Sequence, residues 1–321
     1  MDNQNPFSPE SKSEWERNLI EKLAFSALEE QKRSRRWGIF FKLMTLSALI
    51  AIPLIAAYPE LESEMGNGEA HVAVVNIQGE IMESSIANAK DIIDALRLAA
   101  KDKNAKAIIL NINSPGGSPV QAAYVYDEIK RLKQLQPDLP IYSVVGDICA
   151  SGGYYIAAAS DKIFVNQASL IGSIGVVMNG FGFTQTMDKF GVERRLLTAG
   201  EHKAMLDPFS AVKPQETQHM QGLLNQVHQQ FINAVRAGRG DRLKDPANNQ
   251  LFSGLVWTGS ESIRLGIADA LGNVDSVSHE EFGTENIVDY TPKEHLLDRL
   301  ASKLGTSFGH AISSRLLLDL H

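Results

Sequence analysis

Residues 141–155 read IYSVVGDICASGGYY, and this stretch decides the fold. Ile141–Val145 is a short apolar run rich in β-branched and aromatic residues, which predicts a buried strand. Gly152 and Gly153 follow Ser151 and open an apolar segment that predicts a short helix. A serine then stands at a strand-to-helix elbow, where the helix N-terminus favours negative charge near its Oγ. The two glycines would let another backbone or a substrate approach closely. The spacing is not the G-x-S-x-G of α/β hydrolases, because Cys149 occupies the first glycine position. A serine before Gly-Gly is also a common helix cap, so this block alone leaves both readings open. Cys149, two residues before the elbow, is expected to face the core.

Outward from the elbow, strands and helices take turns. Upstream, Val72–Ile77 and Ala107–Ile112 are strand-like, while Ala87–Lys101 and Val120–Leu135 have helical periodicity. Downstream, Lys162–Val165 is β-rich and Pro214–Arg236 predicts a long amphipathic helix, followed by a polar loop over Gly238–Asn249. Ser260–Gly266 is helical in pattern and ends before the apolar run Ile267–Leu271. The alternation predicts an α/β domain with a largely parallel sheet buried on both faces. Asn113-Ser114-Pro115-Gly116-Gly117-Ser118 lies between a strand and a helix, where its backbone N–H groups could hold a phosphate or an oxyanion. It lacks both G-x-G-x-x-G and a G-K-[ST] lysine, which speaks against a nucleotide.

The chain has 321 residues, 44% of them hydrophobic, enough for a sizeable core. Its formal net charge of -7, with no basic run beside aromatic residues, disfavours a nucleic-acid partner. With Cys149 as its one cysteine the chain forms no internal disulfide, and no zinc-ligand spacing occurs. No cofactor is expected. Residues 37–58 are apolar apart from Lys42 and small hydroxyl residues, and as a helix would span about 33 Å. Lys32, Arg33, Arg35 and Arg36 precede this segment, while Glu60, Glu62 and Glu64 follow it. That asymmetry predicts a signal anchor rather than a core helix, with the N-terminus cytoplasmic and the rest across the membrane. A cleaved signal peptide would have an unusually long charged leader here. The expected organisation is a cytoplasmic segment 1–36, a transmembrane helix 37–58, a linker 59–70, a main domain 71–276 and a C-terminal extension 277–321. Within the first segment, Trp15, Leu19, Leu23 and Ala27 repeat at intervals of four, compatible with a short amphipathic helix or a solvated tail.

A serine nucleophile needs a base, and none of the eight histidines lies in a recognisable triad motif. Lys203 stands after a β-rich stretch, between Gly200 and Pro208. Most lysines are solvated, but one held beside apolar groups can give up its proton and act as a base. Together the blocks resemble the signal peptide peptidase A (SppA) family of Ser/Lys peptidases. N-S-P-G-G at Asn113–Gly117, A-S-G-G-Y-Y at Ala150–Tyr155, I-G-S-I-G-V at Ile171–Val176 and T-x-G-x-x-K-x4-P at Thr198–Pro208 occur in the family's order. Gly238-Arg239 and the run Gly259–Gly272 extend the resemblance over about residues 71–276. Departures are Ser262 and Ile267 in the last run and His202 before the lysine, where an aromatic residue is common.

The resemblance implies a ClpP/crotonase-like fold preceded by one transmembrane helix. It makes Ser151 the nucleophile, Lys203 the general base and Ser173 a hydrogen-bond partner of the lysine. Gly116 or Gly117, with the N–H at Gly152, would form the oxyanion hole. It implies peptide substrates, above all remnant signal peptides, a homo-oligomer whose sites are shared between subunits, and a place in the bacterial cytoplasmic membrane with the domain outside the cytoplasm. Two other functions fit the same fold: a CoA-ester enzyme, which needs no Ser/Lys pair, and a non-catalytic membrane scaffold.

Overall fold

A computed structural model of the chain describes residues 31–51, 68–244 and 250–292, together with Lys22 and Phe25. The chain divides into two compact units, Met1–Met65 and Gly66–His321. In the first, residues 31–51 form a continuous helix. Its aromatic residues cluster on one another, with ring centroids 5.8 Å apart for Trp37 and Phe40 and 5.7 Å apart for Phe40 and Phe41. Among the described residues no helix is long and apolar enough to cross a membrane. Of the expected anchor and linker, residues 52–67 lie outside the described residues, as do Trp15, Leu19, Leu23 and Ala27 of the repeat and residues 293–321 of the C-terminal extension.

The second unit is built on an eight-stranded, predominantly parallel sheet. Strand β1 (His71–Gln78) runs parallel to β2 (Ala105–Ser114), which runs parallel to β3 (Ile141–Ala150). On its other side β1 pairs with β8 (Ile287–Asp289), so the sheet draws an edge strand from beyond residue 276. Strand β3 changes partner along its length. Tyr142–Val144 pair with β4 (Lys162–Val165), whereas Ile148–Ala150 pair with β5 (Leu170–Gly172). Strand β6 (Val256–Thr258) closes this end antiparallel to β5, and β7 (Ala270–Leu271) pairs with β4.

Alternate residues of the central strands enter two separate cores, the burial on both faces that the apolar runs predict. Ala73, Val75, Ile77, Ile108, Leu110 and Ile112 face the larger one. It is covered by α1 (Ala89–Lys101), α2 (Pro119–Leu135), α3 (Gly152–Ala157) and the end of α5 (Pro214–Arg239). Val72, Val74, Ile109, Tyr142, Val144 and Phe164 face the smaller core, closed by Val277 and Phe282 of α7 (Val274–Phe282). Helix α4 (Thr184–Phe190) buries no residue, and α6 (Gly259–Leu265) ends in a left-handed Gly266. Asn88 and Ser118 cap the starts of α1 and α2, accepting from Asp91 N–H and Gln121 N–H.

Helix α5 runs through Gly238 to Arg239, three residues past its expected end and into what reads as a polar loop. Gly238 is there because a Cβ would fall 1.9 Å from the Ala158 carbonyl oxygen, so only glycine lets α5 meet the end of α3. Arg239 is fully buried and forks onto Asp269, with Nη1 and Nη2 each donating at 2.8 Å, while Nε and Nη2 donate to the Gly266 carbonyl. This tie locks α5 to the α6–β7 connection behind α3.

Candidate active site

Pairing with β5 keeps β3 extended to Ala150 and brings it directly to Ser151. There the backbone turns with φ 51° and ψ −121°, a conformation that costs a non-glycine residue about 1–3 kcal/mol. The Ser151 N–H donates to the Gly172 carbonyl at 2.8 Å, which holds the turn in place. The side chain makes no capping bond to α3. The helix-cap alternative is thus removed, and the strained turn presents the hydroxyl to a cleft of about 300 Å³ lined also by Gly117 and Gly152.

The glycines of the 113–118 loop pack against this elbow. Ile81 N–H donates to the Gly116 carbonyl and Ser118 N–H donates to the Ile81 carbonyl, each at 2.8 Å. In such an extended bridge, successive N–H groups point to opposite sides, so that of Gly117 is turned away from Ile81. A Cβ on Gly152 would lie 3.3 Å from Gly117 N, which puts the two backbones side by side. Gly116 N–H, by contrast, donates to Ser114 Oγ at 3.1 Å. Of the two glycines expected at an oxyanion site, Gly117 therefore has the free donor and Gly116 supplies close packing. As the first residue of α3, Gly152 has no intrahelical acceptor for its own N–H. Ser114 falls inside the N-S-P-G-G motif, whereas Ile81, which also arranges this loop, carries no sequence signal because its work is done by backbone groups.

Ser173 lies at the end of β5, one residue beyond the acceptor of the Ser151 N–H. It too has a positive φ, 51°, and its N–H donates to the Leu255 carbonyl at 2.8 Å. Lys203 sits in a turn in which its N–H donates to the Gly200 carbonyl at 3.2 Å. Its side chain is exposed and makes no hydrogen bond or ion pair among the described residues, and it is not part of the lining of the Ser151 cleft. Within one chain, then, Ser151, Gly117 and Gly152 are brought together and Lys203 stands apart. The Lys203 turn is fastened to α5 by Glu216, which accepts from Leu206 N–H and from Lys213 Nζ, both at 3.2 Å. The Leu206 bond, with the charges of Lys213 and His202, holds the Glu216 carboxyl below its usual range. The stretch that leads into this turn exposes apolar side chains: Val177, Phe181, Phe190 and Leu197 are all more than three-quarters exposed.

Cys149 is fully buried, as expected, and burial drives its thiol well above the ordinary range, so it is no rival nucleophile. A larger cleft of about 800 Å³, lined by Asn111, Asp147, Asn166 and Asn273 among others, contains none of the expected site residues.

Comparison with known proteins gives two family matches: peptidase family S49 over residues 133–282 and Clp protease over residues 70–172. "Putative signal peptide peptidase SppA" of Enterococcus faecium is 28% identical over 240 residues, covering 71% of this chain and 69% of that protein. "Putative protease slr0021" of Synechocystis is 30% identical over 204 residues, covering 63% of this chain and 69% of that protein. A Brucella abortus protein named Na(+)/H(+) antiporter NhaA is 37% identical over 250 residues, which is 75% of this chain but 33% of that protein. The chain thus spans about a third of that relative's length. The mixed α/β sheet with its serine elbow is a ClpP-like fold.

Proposed function

Because the chain belongs to peptidase family S49, we propose that it is a membrane-anchored serine endopeptidase with Ser151 as nucleophile and Lys203 as general base. The observation that carries this reading is the Ser151 elbow. Its hydroxyl is free of any capping role and opens on a cleft beside the backbone N–H groups of Gly117 and Gly152. In the proposed reaction neutral Lys203 takes the Ser151 proton and Oγ attacks a peptide carbonyl. The two N–H groups hold the oxyanion, and water then hydrolyses the acyl-enzyme. A preorganised pair of this kind acts only if nothing else uses the donors, which is why the engagement of Gly116 N–H by Ser114 matters.

In the same reading Lys203 and Ser173 complete the site in a homo-oligomer, the lysine coming from a neighbouring copy. Its exposure in the single chain, at the end of a stretch that exposes apolar side chains, supports that arrangement. Residues 37–58 anchor the protein in the bacterial cytoplasmic membrane with the domain outside the cytoplasm, supported by the basic residues before the segment and the acidic ones after it. The substrates are apolar peptides, of which remnant signal peptides are the natural class at that surface.

The test is hydrolysis of a fluorogenic peptide by the full chain in detergent, with fluorophosphonate labelling of Ser151. Ser151→Ala and Lys203→Ala should each be inactive, and Lys203→Arg as well, since a guanidinium stays protonated. Co-assembly of equal amounts of the two alanine variants should restore about a quarter of the sites, where an intact serine meets an intact lysine. Near-wild-type hydrolysis by Lys203→Ala would overturn the dyad, and mixed oligomers without activity would place both groups in one chain.

A further inference from the structure

Helix α2 begins two residues after Gly117, and beyond its first residue, Pro119, the side chains it gives to the Ser151 cleft are Val120, Ala123, Tyr124 and Asp127. Their spacing of three, four and seven puts them on one face. They form a stripe that runs from the oxyanion loop about 10 Å along the helix axis to Asp127. The rest of the lining is largely apolar, with Gln230 beside Val227 and Phe231 on α5: Tyr155 of α3 stacks on Phe231 with ring centroids 4.8 Å apart.

Asp127 is the one charged residue among those lining this cleft. It makes no ion pair or hydrogen bond among the described residues, although cations are near in sequence. Those are already committed. Arg131 and Arg97 are both bound to Glu128, the next residue along, and Lys130 lies over the Tyr126 ring, 5.7 Å from its centroid. The Asp127 charge is felt across the cleft at Tyr155, whose hydroxyl is pushed upward first by burial and then by that charge.

We propose that Asp127 sets the specificity of the site, selecting a substrate residue with a long aliphatic stem and a cationic end, lysine or arginine, at the position whose carbonyl Ser151 attacks. The inference rests on the serine-peptidase reading above. The stem lies along Val120, Tyr124 and Tyr155, and the cation meets a carboxylate that has no other partner among the described residues. Asp127 is exposed at the far end, so a short apolar side chain fills the near part of the cleft and gains nothing from the carboxylate. A glutamate places like charges together and is rejected. The distance along α2 suits this division, because the flexible four-carbon stem of lysine spans most of it and leucine does not.

The experiment uses full-length protein in detergent and a set of peptides identical except for lysine, norleucine or glutamate before the scissile bond. Norleucine matches the lysine stem without its charge. Wild type should show a kcat/KM ratio of lysine to norleucine of about five, the size expected of a partly exposed ion pair, shrinking as salt is added. Asp127→Asn should bring that ratio to about one, and Asp127→Lys should favour glutamate over norleucine, with melting temperatures recorded for each variant. A ratio that is the same in wild type and both variants, with hydrolysis still dependent on Ser151, would overturn the inference and leave the peptidase reading intact. Absence of any Ser151-dependent hydrolysis across the set would overturn that reading and the inference with it.

Discussion

Replacing Gly116 by alanine tests whether the 113–118 loop and the serine elbow are one mechanical unit. Gly116 has φ 103°, a region closed to most L-residues, and its added Cβ would lie 2.6 Å from Ser151 Cβ, 2.7 Å from Gly152 N and 2.8 Å from the Ala150 carbonyl oxygen. Carbon atoms in contact prefer about 3.5–4.0 Å, so one of the two segments must retreat. The loop is pinned by the 2.8 Å bond from Ile81 N–H to the Gly116 carbonyl, and the elbow by the 2.8 Å bond from Ser151 N–H to Gly172. Backbone strain and overpacking together give a cost of about 3–4 kcal/mol, or about 10 °C in melting temperature for a domain of this size. Movement of the elbow away from Gly117 misplaces the paired donors, and loss of one such donor costs about 100-fold or more in rate. Gly283→Ala is the control: φ there is 64°, but nothing lies within 4 Å of the added atom, so about 1 kcal/mol of strain remains and the site is untouched. The assay is thermal unfolding alongside the rate of fluorophosphonate labelling at Ser151. If Gly116→Ala melts with Gly283→Ala and labels at the wild-type rate, the loop and the elbow are not coupled.

Two further expectations concern buried charge. Glu128 is almost fully buried, and its carboxyl is held at about 2, against 4.5 for an ordinary glutamate, by hydrogen bonds first from Arg131 and then from Arg97. With the folded value below the unfolded one, the group's stabilisation is complete above pH 4.5 and is lost as pH falls toward 2. Glu128→Gln should therefore cost about 2 kcal/mol at neutral pH, allowing for the half-exposed arginines, and more than half of that difference should be gone by about pH 3 in urea unfolding; an equal cost at both pH values would refute the assignment. Arg239→Met removes every polar partner that the fully buried guanidinium gives to Asp269 and the Gly266 carbonyl. It should destabilise by about 3–5 kcal/mol in the same assay, and a cost below about 1 kcal/mol would contradict the tie between α5 and the α6–β7 connection.

The parts of the fold that can be read from sequence are those whose burial leaves a long local trace. Strands β1 to β4 are apolar over most of their length because both faces are covered, and α1, α2 and α5 carry an apolar stripe that places them to within two residues at their starts. Strands β5, β6 and β8 are three residues each, too short for any period to emerge. Strand β3 reads as ending at Val145 because Gly146 and Asp147 look like a turn. It continues to Ala150 because Leu170–Gly172 supplies new hydrogen-bond partners from twenty residues away. Gly238 misleads in the same manner, since a glycine that permits close helix packing has the same letter as one that ends a helix.

The site divides along the same line. Ser151, Gly117 and Gly152 belong to loops whose ends are fixed by the parallel sheet, so a local motif carries nearly all the information needed to place them, and they meet within one chain. Lys203 belongs to a stretch that buries little and that includes Val177, Phe181, Phe190 and Leu197, all apolar and largely in solvent. A sequence of that composition reads as the setting of a buried base, and the single chain leaves it uncovered. The disagreement has a physical source: hydrophobicity reports that a surface is to be covered and is silent on whether the cover comes from the same chain. On the proposed reading a second copy provides it, and the rigid serine elbow meets a lysine whose surroundings exist only on assembly. Proteolytic competence would then depend on protein concentration, with Ser151 labelling falling on dilution below the oligomer's dissociation range while the fold of the monomer persists. A labelling rate that stays constant across dissociation, followed by sedimentation in the same detergent, would remove the argument for a shared site.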